Sequence, residues 1–313
     1  MTLQSHSRYT RPVLVVALLL VTTGCGDGGG GGGNSQPFAL RFAAVDGNAE
    51  VGCGDRIAGV GPNGTASIEV NDLRLYVSNL RFTTATGKTV DAKLDVDEFQ
   101  FVDRDGSVAL VDLTGTATGA CSGSGITYPE GTARTHSVVT GTVNSDEVTG
   151  VSFDVAIPQS LMKEVIANHT AEDAPSPFAE MHWSWAYAYR FFVMNFIVED
   201  GEDSGEGYLH VGSTDCGGDG TRALTDRDAC GHINAASVSL SPFDPATDTI
   251  AIDLRALLAD LDFEVSTPEV TFAGVECHSS PGQPDCSTIF GNLGIDMTTG
   301  ASAPNLNSVF WAK

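Results

Sequence analysis

The sequence predicts a mainly β fold: an antiparallel β-sandwich or barrel-like domain with a few short helices, stapled by disulfides. Three observations lead there. From Phe38 onward, short runs of alternating apolar and polar residues are separated by Gly, Asn, Asp and Pro clusters, the pattern of half-buried strands joined by turns. Stretches with helical period are few and short. Seven cysteines accompany an export-type leader, which favours an oxidising compartment where disulfides persist.

Residues 1–24 read as a lipoprotein signal peptide. His6, Arg8 and Arg11 make a polar, positively charged start, and the apolar run from Val13 to Val21 is too short to span a bilayer permanently. Thr22-Thr-Gly-Cys25 resembles a bacterial lipobox, with Thr22 where Leu is usual. Cleavage before Cys25 would free its thiol for a diacylglycerol, leaving the chain lipid-anchored to a bacterial membrane, in the periplasm or at the cell surface. Ordinary cleavage and secretion is the alternative. Residues 25–37 form a Gly-rich tether with too little apolar surface to fold, and without the strand, helix and Lys of a phosphate-binding loop. Residues 38–313 carry no internal repeat or further linker and suit a single β domain.

Within that domain Phe38-Ala-Leu-Arg-Phe-Ala, Ala66-Ser-Ile-Glu-Val, Leu73-Arg-Leu-Tyr-Val and Gly150-Val-Ser-Phe-Asp-Val-Ala-Ile read as separate strands. The stretch from Phe99 to Leu113 reads as a hairpin turning at Asp105-Gly106. Pro158 to Ala167 and Leu254 to Leu261 are the candidate helices. Met181 to Phe192 reads as one strand, with Met181, Trp183, Trp185, Tyr187 and Tyr189 on one face and His182, Ser184, Ala186, Ala188 and Arg190 on the other. An aromatic core stripe is the plain reading, and a redox or metal site with indoles beside imidazoles is the sharper one. Spacing alone does not choose.

Sixteen basic against 40 acidic residues give a formal net charge of −24. Loss of residues 1–24 removes Arg8 and Arg11 and no acid, so the mature balance is −26. Such a field repels nucleic acid and anionic lipid headgroups, so no nucleic-acid partner is expected. With Cys25 given to lipid, the remaining cysteines are even in number. Cys216 with Cys230 and Cys277 with Cys286 would close short loops, leaving Cys53 with Cys121, yet six cysteines admit fifteen pairings. There is no Cys-x-x-Cys for a thiolate metal site and no Cys-x-x-Cys-His for covalent haem. Ser213 sits in Gly-Ser-Thr rather than a nucleophile elbow, and no carboxylate pair has an acid–base context, so the chain is not expected to be an enzyme.

Residues able to do chemistry concentrate in Asn168-His169, Ala174-Pro-Ser-Pro177, Met181-His-Trp-Ser-Trp185, Tyr187-Ala-Tyr-Arg-Phe-Phe192 and Tyr208-Leu-His-Val-Gly-Ser-Thr-Asp-Cys216. Around them stand Phe42-Ala-Ala-Val-Asp-Gly47 before Cys53, Asp72-Leu-Arg-Leu-Tyr-Val-Ser-Asn79, Ser239-Leu-Ser-Pro-Phe-Asp244, and Cys277 and Cys286 ahead of Ile289-Phe-Gly-Asn-Leu-Gly294. This order resembles the MbnP-like family, the metallo-mystery pair four-Cys proteins, over nearly all of Phe38 to Asp296. The resemblance implies bound copper, as Cu(I), with His169 and His210 as ligands; imidazole is a good copper donor. It also implies a MauG-like di-haem partner that oxidises one Trp to kynurenine. Trp183 and Trp185 are the candidates for that modified residue or third ligand.

Met181, His182 and Tyr189 are expected close behind these groups. His136, His232 and His278 read as ordinary imidazoles, so His210→Ala is expected to weaken copper binding far more than His278→Ala. Two departures from the family pattern stand out: Ala188 replaces an expected Gly before Tyr189, and the segment from Ile157 to His169 is longer than usual. The alternative function is a surface β-sandwich module that binds carbohydrate or a protein through its aromatics, without metal.

Overall fold

The computed structural model describes residues 35–114, 135–145, 147–170, 173–184, 188–201, 203–217, 224–226, 228–263, 274–280 and 282–313. The expected signal peptide, Cys25, most of the tether, Cys121, Trp185 and Tyr187 lie outside the described residues. The first half of the domain is all strand: β1 (Gln36–Asp46), β2 (Ala49–Glu50), β3 (Arg56–Val60), β4 (Ala66–Thr84), β5 (Thr89–Leu94), β6 (Gln100–Asp103), β7 (Gly106–Asp112), β8 (Val138–Val143) and β9 (Val148–Val155). Then follow α1 (Gln159–Asn168), β10 (His182–Ser184), β11 (Ala188–Asp200), β12 (Asp203–Gly212), β13 (Ala236–Leu240), β14 (Thr249–Asp253), α2 (Leu254–Leu257), β15 (Gly274–Cys277), α3 (Pro284–Leu293) and β16 (Phe310–Ala312).

The strands join into one curled sheet whose main path is β15-β12-β11-β4-β5-β8-β1-β14-β16, so the mainly β, barrel-like class is the one observed. β4 is its spine. This strand, 19 residues long, pairs with β3, β5, β7, β9 and β11, and register shifts interrupt its ladders with β3, β9 and β11. One shift falls at Asn71, between Val70 and Asp72, the step that separates two strands in the sequence pattern. A bulge there re-aims side chains without ending the strand, so the two expected strands are one. Most pairings are antiparallel, as expected. β1 with β14 and β12 with β15 are parallel, which the local pattern does not announce.

Other expectations meet small corrections. The hairpin forms, but its turn is Arg104-Asp105, with Gly106 already paired to Asp103. α1 matches its expected helix to within a residue, whereas α2 is a single turn. α3 is not among the expected helices, although Pro284 at its first turn and Gly294 in the left-handed conformation (φ 72°) after its end are helix start and stop signals. Met181 to Phe192 is not one strand. A 3-10 turn over Phe178–Met181 leads into β10, which folds back on β11 with His182 opposite Tyr189. Ala188 begins β11 at φ 62°, a backbone region that favours glycine, the residue expected at this position.

Cys216–Cys230 and Cys277–Cys286 are disulfides. Cys53 is also disulfide-bonded, and its expected partner Cys121 is among the residues not described. Among the described residues no helix is long and apolar enough to cross a membrane.

β11 is buried on both faces, which explains its near-continuous apolar run Ala-Tyr-Arg-Phe-Phe-Val-Met-Asn-Phe. Phe192, Met194, Phe196 and Val198 enter the larger core with Leu73, Leu75 and Val77 of β4 and Leu209 and Val211 of β12. By alternation, Asp72 and Arg74 of β4, Val193 and Asn195 of β11, and Tyr208 and His210 of β12 occupy the other face. A second apolar cluster covers part of that face, with Tyr76, Leu161, Phe178, Met181, Tyr189 and Phe191 among its members. Asp72, Arg74, Asn195 and His210 are sealed inside the protein, while Tyr208 is half-buried.

Candidate metal centre

The parallel ladder of β12 and β15 sets Tyr208 opposite Glu276 and Leu209 opposite Cys277. One residue further, His210 and His278 become neighbours although they are 68 positions apart in sequence. Their Nδ1 atoms lie 3.1 Å apart, with ring centroids 4.8 Å apart. Ser279, in the left-handed region at φ 60°, turns the chain after His278 and clamps the two strand ends. Its hydroxyl donates to the His210 carbonyl at 2.9 Å and accepts from Gly212 N–H at 2.8 Å. The His278 N–H donates to Gln283 Oε1 at 2.8 Å, and Cys277–Cys286 ties the end of β15 to α3.

Both outer ring nitrogens are occupied. His210 Nε2 meets Asn195 Oδ1 at 2.9 Å, and His278 Nε2 meets Glu276 Oε1 at 3.2 Å. Trp183, half-buried in β10, has its ring centroid 6.2 Å from that of His210 and 6.0 Å from that of His278. Tyr208 completes the group at 6.0 and 6.3 Å from the two imidazoles, and its hydroxyl donates to the Glu206 carboxylate. Burial above all, then the Arg190 guanidinium, holds the His210 imidazole well below its usual pKa. His278 is lowered chiefly by burial, with Glu276 pulling upward and Arg190 downward.

The expected ligand pair is only half assembled. His210 is at the centre, but His169 is exposed at the C-terminal end of α1, where it lines a shallow cavity with Phe101, Asp103, Glu164 and Pro175. The first residue of α1, Gln159, hydrogen-bonds Ser213, whereas His169 follows the other end of this helix of about 15 Å, and none of the residues around its cavity belongs to the His210 group. The longer segment between Ile157 and His169 is that helix. The imidazole that lies beside His210 is instead His278, an ordinary one by the sequence reading. A signal was present, since it follows Cys277 directly, but only the parallel pairing gives that adjacency meaning.

His182 packs edge-on against Tyr189, and both Met181 and Tyr189 belong to the second apolar cluster. His136 stacks on Phe99 and bonds the Leu110 carbonyl, while His232 bonds the Thr298 carbonyl. These two are the ordinary imidazoles the sequence suggested. Ser213 is a structural hydroxyl that donates to the Ile233 carbonyl. Among the described residues no group of three or more His, Cys, Asp or Glu side chains converges in the manner of a metal site.

Fold and centre define a class: a disulfide-stapled, mainly β protein holding a pair of imidazoles, one buried and one partly exposed, against an indole. A family model for MbnP matches residues 35–279, a span that includes every residue of this centre, and the chain belongs to the MbnP family. The solved structure of MbnP from Methylosinus trichosporium is similar at 25% identity and a TM-score of 0.66, with 89% of this chain and 98% of that chain covered. No curated protein matches the sequence.

Proposed function

We propose that this is an exported copper-binding protein, not itself an enzyme, which holds Cu(I) through His210 Nδ1 and His278 Nδ1. The observation that carries the reading is the 3.1 Å approach of two Nδ1 atoms whose rings are both engaged at Nε2 by oxygen acceptors. A carboxylate only accepts, so His278 keeps its proton on Nε2 towards Glu276; His210 does the same towards the Asn195 carbonyl oxygen. Each ring turns its Nδ1 towards the other at 3.1 Å, a hydrogen-bonding distance, so in the metal-free protein the two Nδ1 atoms share one proton, which a bound cation would displace.

The donor set fits copper. Two imidazoles fall short of a tetrahedral zinc site and offer none of the oxygen ligands of calcium or magnesium, whereas copper takes imidazole readily and its cuprous ion accepts few ligands. The MbnP family is copper-associated, which points the same way.

In the same reading Trp183 is the residue that a MauG-like di-haem partner oxidises to kynurenine, because its indole contacts both imidazoles. The ketone and aryl amine so formed would add donors beside the ring pair. Lipid attachment at Cys25 would hold the protein in the periplasm or at the cell surface. A carbohydrate- or protein-stacking platform gains no support from an indole packed half-buried on histidines. Protein purified from its own host should contain roughly one copper per chain and a mass gain confined to the peptide carrying Trp183 and Trp185. Native protein with neither refutes the proposal.

A further inference from the structure

Behind His210 lies a hydrogen-bond chain that the two-imidazole site does not itself require. Arg74 donates to both oxygens of Asp72, Nε to Oδ1 at 2.9 Å and Nη2 to Oδ2 at 2.7 Å. Thr114 Oγ1 donates to Asp72 Oδ1 at 2.8 Å, and Asn195 Nδ2 donates to Asp72 Oδ2 at 3.2 Å. Asp72, Arg74 and Asn195 are each 0% exposed. A carboxylate has about four lone-pair directions, and all are taken here.

This arrangement gives the chain a direction. Asp72 has no hydrogen to donate, so Asn195 must turn its amide nitrogen towards it and its carbonyl oxygen towards His210. That oxygen accepts from Nε2, which fixes the proton of His210 on Nε2 and leaves Nδ1 bare. Flipping the amide would set an oxygen against the buried carboxylate, acceptor against acceptor, so the observed orientation is the favoured one.

We infer that Asn195 is a positioning residue, held by the Asp72–Arg74 ion pair, which locks His210 in the tautomer that presents Nδ1 to a metal before any metal arrives. This rests on the reading of His210 as a ligand. Its physical basis, however, is present in the metal-free protein. The register supplies the geometry: Asn195 pairs with Asp72 across β11 and β4 and with Tyr208 across β11 and β12, so the relay crosses three adjacent strands on one face. Outer partners of this kind orient a ligating imidazole and raise its affinity for metal.

Long-range ¹⁵N–¹H correlation spectra of the metal-free, ¹⁵N-histidine-labelled protein test the lock directly. His210 should appear as the pure Nε2–H tautomer in the wild type and as a mixture in Asn195→Leu. Cu(I) affinity of Asn195→Leu, measured by competition with a chromophoric chelator, should fall by about 10–100-fold. A wild-type His210 protonated on Nδ1, or a folded Asn195→Leu with unchanged tautomer and affinity, overturns the inference. The wild-type spectrum decides the tautomer even if the leucine variant fails to fold. A wild type that shows the lock yet binds no Cu(I) refutes the copper reading while upholding the relay.

Discussion

Replacing His278 by Ala should abolish tight Cu(I) binding, and it should do so as thoroughly as replacing His210. Each imidazole supplies one of two converging nitrogens at 3.1 Å, so losing either leaves a single donor. Removing a residue that merely orients a ligand costs about 10–100-fold in affinity, so removing the ligand itself should exceed about 100-fold, or about 2.7 kcal/mol. The His278 side chain is 31% exposed, so its truncation leaves the core intact and the loss is one of binding rather than folding. Because the two rings act as a unit, the His210→Ala/His278→Ala double variant should bind no worse than either single variant. His169→Ala, at the far end of α1, should stay within about twofold of wild type. Anaerobic competition against a chromophoric Cu(I) chelator, with circular dichroism as the folding control, reads all four. A His278→Ala protein that keeps wild-type affinity while His169→Ala loses it would refute the assignment and restore the ligand pair expected from sequence.

Two further outcomes follow from the geometry. Removing the Cys277–Cys286 disulfide, with its sequence separation of 9, by paired serine substitutions should cost about 2–3 kcal/mol in denaturant unfolding and also weaken copper binding, since the bond anchors the strand end that carries His278; unchanged copper affinity would show that β15 is held in place without it. Asp112, buried with Oδ2 unpaired, has its carboxyl pushed up to about 6, first by burial. A raised folded-state value means that the protonated form favours folding. That stability is complete below the unfolded value near 3.8 and is lost as pH rises through about 6. Asp112→Asn should therefore gain stability relative to wild type, by a difference on the order of 2–3 kcal/mol, between about pH 4 and about pH 8. Parallel stability curves for the two proteins would contradict the shift.

Much of the fold was legible because its signals are local. Alternation marks β1 and β9, turn chemistry marks the β6–β7 hairpin, and periodicity marks α1. Signals that compete locally were misread. Asn71-Asp72 resembles a strand break, yet both residues are buried within β4, Asn71 at a bulge and Asp72 in an ion pair with Arg74. The aromatic run from Met181 onward resembles one strand because period two holds on either side of its reversal, and the reversal is betrayed only by Ala188 where glycine is favoured.

The sequence alone determined a β-rich chain, and its motifs carried both the family and one of the two central imidazoles, His210. Tertiary structure alone decided that His278 is the other, that Trp183 lies against both, and that Asn195 stands behind His210 with its amide oriented by Asp72. The reason is the kind of pairing involved. Parallel strands joined by a long connection leave no shared periodicity or turn signature, so the register of β12 against β15 exists only once the whole sheet has closed around its core.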